Sequence, residues 1–315
     1  MRVFNLDEIK KVLDRRKLLK SQKGGFLAYS QDRVVVPPVG YLHFDEPPGD
    51  CHIKCGYIRD DDYFVVKIAT GFYRNPDAGL PVGNGMMALF SRLTGELQAL
   101  LLDQGYLTDM RTAAAGAVVA EYLAPRAVKR IGIVGAGVQA RLQLEMLKYV
   151  TDCREVCVWG REKRKTAQYK AEMDQLGFVV QTAALIDELT ETCNLIVTTT
   201  ASREVLLHAD QIKSGTHITA VGADAPGKQE LDPQVFKRAD VRVVDSISQC
   251  VDHGDTAHAI QAGLITRDQL VELGAVIANP QLGRTSEDQI TVADLTGVAV
   301  QDIEVARLTY ELLNK

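Results

Sequence analysis

Residues 131 to 147 hold the stretch of this chain best placed to do chemistry: the apolar run Ile131-Gly132-Ile133-Val134, then Gly135-Ala136-Gly137-Val138-Gln139-Ala140, then a helical pattern. A strand that runs into glycine-spaced residues and a helix grips a dinucleotide. Gly135 permits the tight turn, Gly137 lets the backbone approach a pyrophosphate, and Ala140 stands where a third glycine would let the helix pack on the strand. The first helical turn offers unpaired amides and a positive dipole end to phosphates. The next strand, Glu155 to Trp159, ends where an acidic ribose-binding residue is usual, and Trp159-Gly160-Arg161 stands there instead. Arg161, followed by Lys163, Arg164 and Lys165, suits a 2′-phosphate and adenine stacking, which favours NADP over NAD. The plainer alternative is a solvated first turn of a helix.

These residues need elements to position them. From Lys129 onward strands alternate with helices, at 130–134, 138–149, 155–159, 162–176, 178–181, 194–199, 217–221 and 241–244, which predicts βαβ units and a parallel sheet. Upstream, residues 6 to 29 read as one helix. Strand-like runs near 34–36, 41–44, 52–58, 63–69, 85–90 and 97–103 then predict a mostly antiparallel sheet. An alanine-rich helix follows over 108–123, closed by Pro125, and a last amphipathic helix spans about Ile303 to Leu313.

Composition narrows the function classes. The 315 residues suit two domains, 46 percent hydrophobic and 24 percent charged are ordinary for a globular protein, and a net charge of −5 argues against nucleic acid or an anionic membrane as partner. No apolar leader opens the chain and no uncharged run reaches membrane-helix length, so a cytoplasmic location is expected. Cys51, Cys55, Cys153, Cys157, Cys193 and Cys250 are too scattered for a disulfide scaffold. Neither Cys51-His52 with Cys55 nor Cys153 with Cys157 fits a usual zinc pattern, so no metal is expected and Cys157 reads as a buried strand residue.

Five ordered segments spread over nearly the whole chain resemble the ornithine cyclodeaminase and mu-crystallin family, which includes ketimine reductases and an archaeal alanine dehydrogenase. They are Val65-Val66-Lys67 with Gly79-Leu80-Pro81, Leu107 to Ala117, Gly135 to Ala140, Val221 to Leu231, and Asp294 to Asp302. The resemblance implies an α/β chain: an α+β substrate-binding and dimerisation domain over 1–124 plus 299–315, and a Rossmann domain over 125–298. By matching position it puts Lys67 and Arg111 at a substrate carboxylate and Asp224 beside the reacting nitrogen. Thr112, the glycine turn, Thr198, Thr199, Thr200, Val221, Thr296, Gly297 and Val298 would line the cofactor. Side-chain chemistry agrees. An ammonium at the end of an apolar strand, as at Lys67, is costly unless it meets an anion, although a structural ion pair would serve as well. The Arg111 fork suits a bidentate carboxylate, with Asp109 or Asp103 as the structural alternative. Asp224 follows a strand in a loop where parallel sheets bind ligands; a helix cap is its plainer reading.

One position departs from the family pattern. An arginine often follows the Val-Pro-Pro segment, but Val36-Pro37-Pro38 is followed here by Val39. On a strand, Val39, Tyr41 and His43 share a face, so Tyr41 or His43 is expected to take part of that role, with His52 and Lys54 as further candidates. The leading expectation is an NAD(P)H-dependent reductase of a small α-imino or α-keto acid, working as a homodimer, with Asp224 exchanging the proton. The alternatives are a cyclodeaminase that recycles its cofactor and releases ammonia, and a crystallin-like protein that binds a ligand with NADP and turns nothing over.

Overall fold

Asn5 opens the first helix, Leu6–Val12, through a capping box: its side chain accepts from the amides of Asp7 and Glu8, and the Glu8 carboxylate accepts from the Asn5 amide at 2.8 Å. The single helix expected over 6–29 is in fact two. Leu13 turns extended, with ψ 102°, and Asp14 caps a second helix, Arg15–Ser30, by accepting from the Lys17 amide. An aspartate inside an apolar repeat thus acts as punctuation. The second helix runs on through Gly24 and Gly25. A Cβ at Gly25 would lie 2.8 Å from Glu304 Cγ, so glycine here permits a close approach to the C-terminal helix.

The computed structural model describes residues 1–315, apart from the side chain of Pro76. They divide into two compact units, Met1–Arg111 with Val298–Lys315, and Thr112–Gly297. The division falls within one helix, Tyr106–Leu123.

The first unit is built on a seven-stranded sheet ordered Arg2–Asn5, Leu97–Leu102, Gly83–Ser91, Tyr63–Phe72, Gly49–Ile58, Val34–Val35, with Gly40–Phe44 also paired to Gly49–Ile58. All pairings are antiparallel except that of Arg2–Asn5, which runs parallel to Leu97–Leu102. Sequence reading passed over that short edge strand, since Phe4 is its one buried residue. Register puts Lys54, Lys67, Met87 and Leu101 in one row on one face. That face buries Val65, Met87, Leu89, Ala99 and Leu101 and takes the helix Ala299–Leu313. The opposite face leaves Leu42, Phe44, Ile53 and Leu102 exposed.

The second unit holds an all-parallel eight-stranded sheet, ordered Val179–Thr182, Glu155–Trp159, Ile131–Val134, Leu195–Thr198, His217–Ala220, Thr291–Asp294, Val241–Val244, Val271–Glu272. The predicted α/β class and parallel sheet are therefore present. Chain order reverses between Ile131–Val134 and Leu195–Thr198, the crevice where doubly wound sheets bind ligands. The three central strands are buried at every residue, which is why they read as continuous apolar runs. Thr291–Asp294, absent from the sequence reading, is equally buried and separates His217–Ala220 from Val241–Val244. Cys157 is a buried strand residue as expected, and the six cysteines are free thiols. Among the described residues no helix is long and apolar enough to cross a membrane.

Candidate active site

In the second unit the glycine turn is fixed by its neighbours. Gly135 has φ +118°, and a Cβ there would lie 2.6 Å from Thr199 Oγ1, so glycine is required both for conformation and for space. Its amide donates to Trp159 O at 2.8 Å, and the Thr199 amide donates to Val134 O. Gly137 caps the helix Val138–Leu147 without a side-chain hydrogen bond, and a Cβ there would meet nothing within 4 Å. Gly137 thus puts no side chain over the helix start and leaves the first-turn amides a clear approach, the fit that a pyrophosphate needs. Behind the turn Arg141 donates to the carbonyls of Ala136 and Gly137 and pairs with Glu172.

A cavity of about 190 Å³ opens over this turn. Of the residues expected to hold a cofactor, Gly135, Ala136, Gly137, Trp159, Gly160, Arg161, Thr199 and Thr200 line it. Val138, Gln139, Arg164, Thr112, Thr198, Val221, Gly297 and Val298 lie outside the lining. Val138 is 59 % exposed, a helix-surface residue. The Thr112 carbonyl accepts from Gln143, Val221 is buried with its amide on Thr198 O, and the amides of Gly297 and Val298 donate to Asp245 and Gln301. Ala201, Ser202, Leu206, Glu162 and Lys165 complete the wall. Glu162, three residues after Trp159, brings a carboxylate into the cavity wall. It is hydrogen-bonded to Lys165 at 2.7 Å, which holds its carboxyl below the usual range.

Asp224 lies in the loop after His217–Ala220, its side chain about half exposed. No helix follows. A turn closed by the Lys228 amide on Ala225 O leads into the strand Gln229–Leu231, so the cap reading of Asp224 falls. Lys228 Nζ instead pairs with Asp224 Oδ1 at 2.5 Å.

The charged cluster of the first unit is of another kind. The strand expected to end near Ala69 continues to Phe72, so Lys67 stands mid-strand, 3 % exposed. Its Nζ meets Asp302 Oδ2 at 2.7 Å, and Arg111 Nε meets the other oxygen of the same carboxylate at 3.0 Å. Gln301 joins Arg111 twice, accepting from Nη1 and donating to its carbonyl. The partner of Arg111 is thus Asp302, not Asp109 or Asp103; the Asp103 carboxyl accepts from the Leu107 amide. Burial pushes Lys67 down to about 8, with Arg111 and Lys54 adding to the effect and Asp302 opposing it. Burial pushes Asp302 up, but Lys67 and Arg111 outweigh it and hold that carboxyl below its ordinary value. Burial raises Asp103 toward its neutral form. Two buried cations therefore share one firmly ionised carboxylate.

Tyr41 and His43 lie on Gly40–Phe44 with Tyr41 opposite His52 and His43 opposite Asp50, on the sheet face that carries Lys54 and Lys67. Both are solvent-exposed; Tyr41 packs on the His52 ring at 4.9 Å and His43 pairs with Asp45. Sequence reasoning gave no role to Asp302 or to Glu230, which is fully buried beside Thr198 and Thr200. The available signal was a carboxylate set among residues that pack: Val300-Gln301-Asp302-Ile303 and Glu230-Leu231.

Residues 3–315 match the model of the ornithine cyclodeaminase/mu-crystallin family. A protein of Sinorhizobium fredii named as an uncharacterised cyclodeaminase is 44% identical over 283 residues, 88% of this chain and 85% of that protein. The Thermococcus litoralis Δ1-pyrroline-2-carboxylate reductase, solved with NADH and L-proline, superposes with TM-score 0.92 at 27% identity, covering 99% of this chain and 97% of that one. The Paracoccus denitrificans iminosuccinate reductase, solved with NAD+, gives TM-score 0.90 at 32% identity over 99% and 96%. Whole-length similarity at this level makes the chain a member of the ornithine cyclodeaminase/mu-crystallin family.

Proposed function

We propose that this protein is an NAD(P)H-dependent reductase that converts a small α-imino acid, or an α-keto acid together with ammonia or an amine, into an amino acid. The observation that carries the reading is the cluster of Lys67 and Arg111 on Asp302, two buried cations for one carboxylate. An unbalanced buried charge is costly, and a substrate carboxylate would balance it. The fork of Arg111 supplies directional donors and Lys67 a point charge. A nicotinamide cofactor, when bound, supplies the hydride. Gly135, Gly137 and the first turn of Val138–Leu147 would hold its pyrophosphate, and Arg161 its adenosine end. Asp224, protonated from solvent, would give that proton to the substrate nitrogen as hydride reaches carbon, and Lys228 would pair with the carboxylate left behind until solvent returns the proton. Arg161 in the cavity wall supports a preference for NADPH, while Glu162, in the same wall and held by Lys165, would be the acceptor that NADH needs.

The family also supports a second reading. The 44%-identical relative carries a cyclodeaminase name, and such a reaction would release ammonia without net change of cofactor. Assay of cyclic imines, α-keto acids with ammonia or methylamine, and basic amino acids with NADPH, NADH and NAD+ separates the two. The proposal expects steady cofactor oxidation with an imine or keto acid. Ammonia release from a diamino acid with no net absorbance change would replace it by the lyase. We propose further that a second copy of the chain covers the exposed sheet face bearing Leu42, Phe44 and Ile53, giving a homodimer. A monomer mass by light scattering would overturn that.

A further inference from the structure

Glu230 is an acidic residue, fully buried and outside the cavity, yet its carboxyl group gathers four donors from the ends of two strands. Oε1 accepts from the Thr200 amide at 2.6 Å and the Thr200 hydroxyl at 2.7 Å. Oε2 accepts from the Thr198 hydroxyl at 2.6 Å and the Gly222 amide at 2.9 Å. These donors lie at the C-terminal ends of two adjacent parallel strands, Leu195–Thr198 and His217–Ala220. The loop after the first forms the cavity wall at Thr199 to Ser202, and the loop after the second carries Asp224 two residues after Gly222. The approach is close enough that a Cβ at Gly222 would collide with the Thr200 backbone and with Glu230 itself. Glu230 is in turn fixed from behind, because its own amide and that of Leu231 donate to Asp255 Oδ1, each at 2.8 Å.

We propose that Glu230 is a positioning residue: a staple whose two carboxyl oxygens set the Thr198–Thr200 wall of the cofactor cavity against the Gly222–Asp224 loop. The claim rests on the reading of that cavity as a dinucleotide site. A carboxylate is the one side-chain group that accepts at both heads, and four donors fill its lone pairs. Burial pushes the Glu230 carboxyl above its ordinary value, and the hydrogen bonds from Thr198, Thr200 and Gly222 only partly oppose this. A glutamine would leave one head as an NH2 facing an N–H donor, so the staple cannot close at both ends.

The test uses Trp159, the chain's one tryptophan, which lines the cavity and is expected to report cofactor binding by quenching. Quenching is titrated with NADPH and NADH in the wild type, Glu230→Gln, Thr198→Val and the double variant, with melting temperature measured alongside. Glu230→Gln is expected to raise the cofactor Kd about tenfold to a hundredfold, the range for leaving a buried donor without its acceptor. Thr198→Val removes one donor and is expected to raise it about threefold to tenfold. The double variant is expected to be no worse than Glu230→Gln, because both act through one network. Val235→Ala, in the same core but outside the network, should lower the melting temperature without moving Kd. A folded Glu230→Gln whose Kd stays within about twofold of wild type overturns the proposal. So does an unchanged Kd in Thr198→Val if Glu230→Gln fails to fold. Absence of quenching in the wild type removes the dinucleotide reading, and this proposal with it.

Discussion

The two units build their candidate sites from opposite materials. In Thr112–Gly297 the turn at Gly135 to Gly137 presents backbone: missing side chains give the room, and the helix start gives the polarity. In the other unit the cluster is made of side chains whose charges do not balance, Lys67 and Arg111 against Asp302. A backbone site is stable while empty, because its amides cost little when solvated. A charge site strains against its own burial until an anion arrives, as the depressed value of Lys67 records. The contrast implies different responses to mutation: the backbone site should lose ligand without losing stability, and the charge site should trade one for the other.

The largest effect tests the proton rather than either binding site. Asp224→Asn keeps the shape and removes the acid, so kcat should fall by about 10²–10⁴-fold, the usual worth of general acid–base help. Cofactor Kd should stay within about twofold. Near-normal kcat would remove Asp224 from the chemistry. Next come the two ends of the charge cluster. Asp302→Asn leaves two buried cations facing each other and should cost about 3–5 kcal/mol in urea unfolding. Lys67→Met instead leaves Arg111 and Asp302 as a one-to-one pair. It should keep or raise stability while raising substrate KM about tenfold to a hundredfold. If Lys67→Met were to lose stability as Asp302→Asn does, the cluster would be an ordinary structural ion pair and the contrast between the units would collapse.

Much of this was legible in the sequence. The glycine turn declares itself because each requirement is local: φ at Gly135, space at Gly137, a helix after and a strand before. Strands such as Tyr63–Phe72 and Gly83–Ser91 showed as strand-like runs between Pro, Gly and Asp clusters, with ends misplaced by up to three residues because pairing, not propensity, decides where a strand stops. The cluster was half legible. A lysine in an apolar strand demands an anion, but nothing local says that the anion is Asp302, near the other end of the chain. Glu230 was silent for the same reason: its four donors come from Thr198, Thr200 and Gly222, which only the adjacency of two parallel strands brings to it. Helix punctuation at Asp14 was local and was outweighed by the apolar repeat around it.

A pH series sharpens the same contrast at a smaller scale. Lys67, lowered by burial to about 8 from an ordinary 10.5, stays charged in the unfolded chain after native Lys67 has given up its proton. Between those values the unfolded state binds more protons, so this group's contribution to stability rises with pH and is least favourable below about pH 8. Substrate capture should run the other way. As the ammonium is lost above about pH 8, kcat/KM should fall about tenfold per pH unit, since that ratio reports the free enzyme. Lys67→Arg should flatten the fall, because a guanidinium keeps its charge. An unchanged profile in Lys67→Arg would mean that some other group titrates.

The smallest effect asks whether the backbone site borrows anything from charge. Arg161 and the Glu162–Lys165 pair are the charged side chains in the cavity wall, and they would make opposite offers to a bound ribose. An arginine fork suits a 2′-phosphate; a carboxylate accepts from a 2′-hydroxyl and repels that phosphate. Because Glu162 is already occupied by Lys165, Arg161 should prevail and NADPH should be preferred. Arg161→Ala should then weaken NADPH by about fivefold to thirtyfold, the loss of one charge-assisted hydrogen bond at a solvated site, and leave NADH within about twofold. Lys165→Ala should act in the opposite sense on NADH, releasing Glu162 to accept from the ribose and narrowing the preference from the other side. Equal losses for both cofactors in Arg161→Ala would mean that this arginine stacks on adenine and reads no phosphate, and selection would then belong to Glu162.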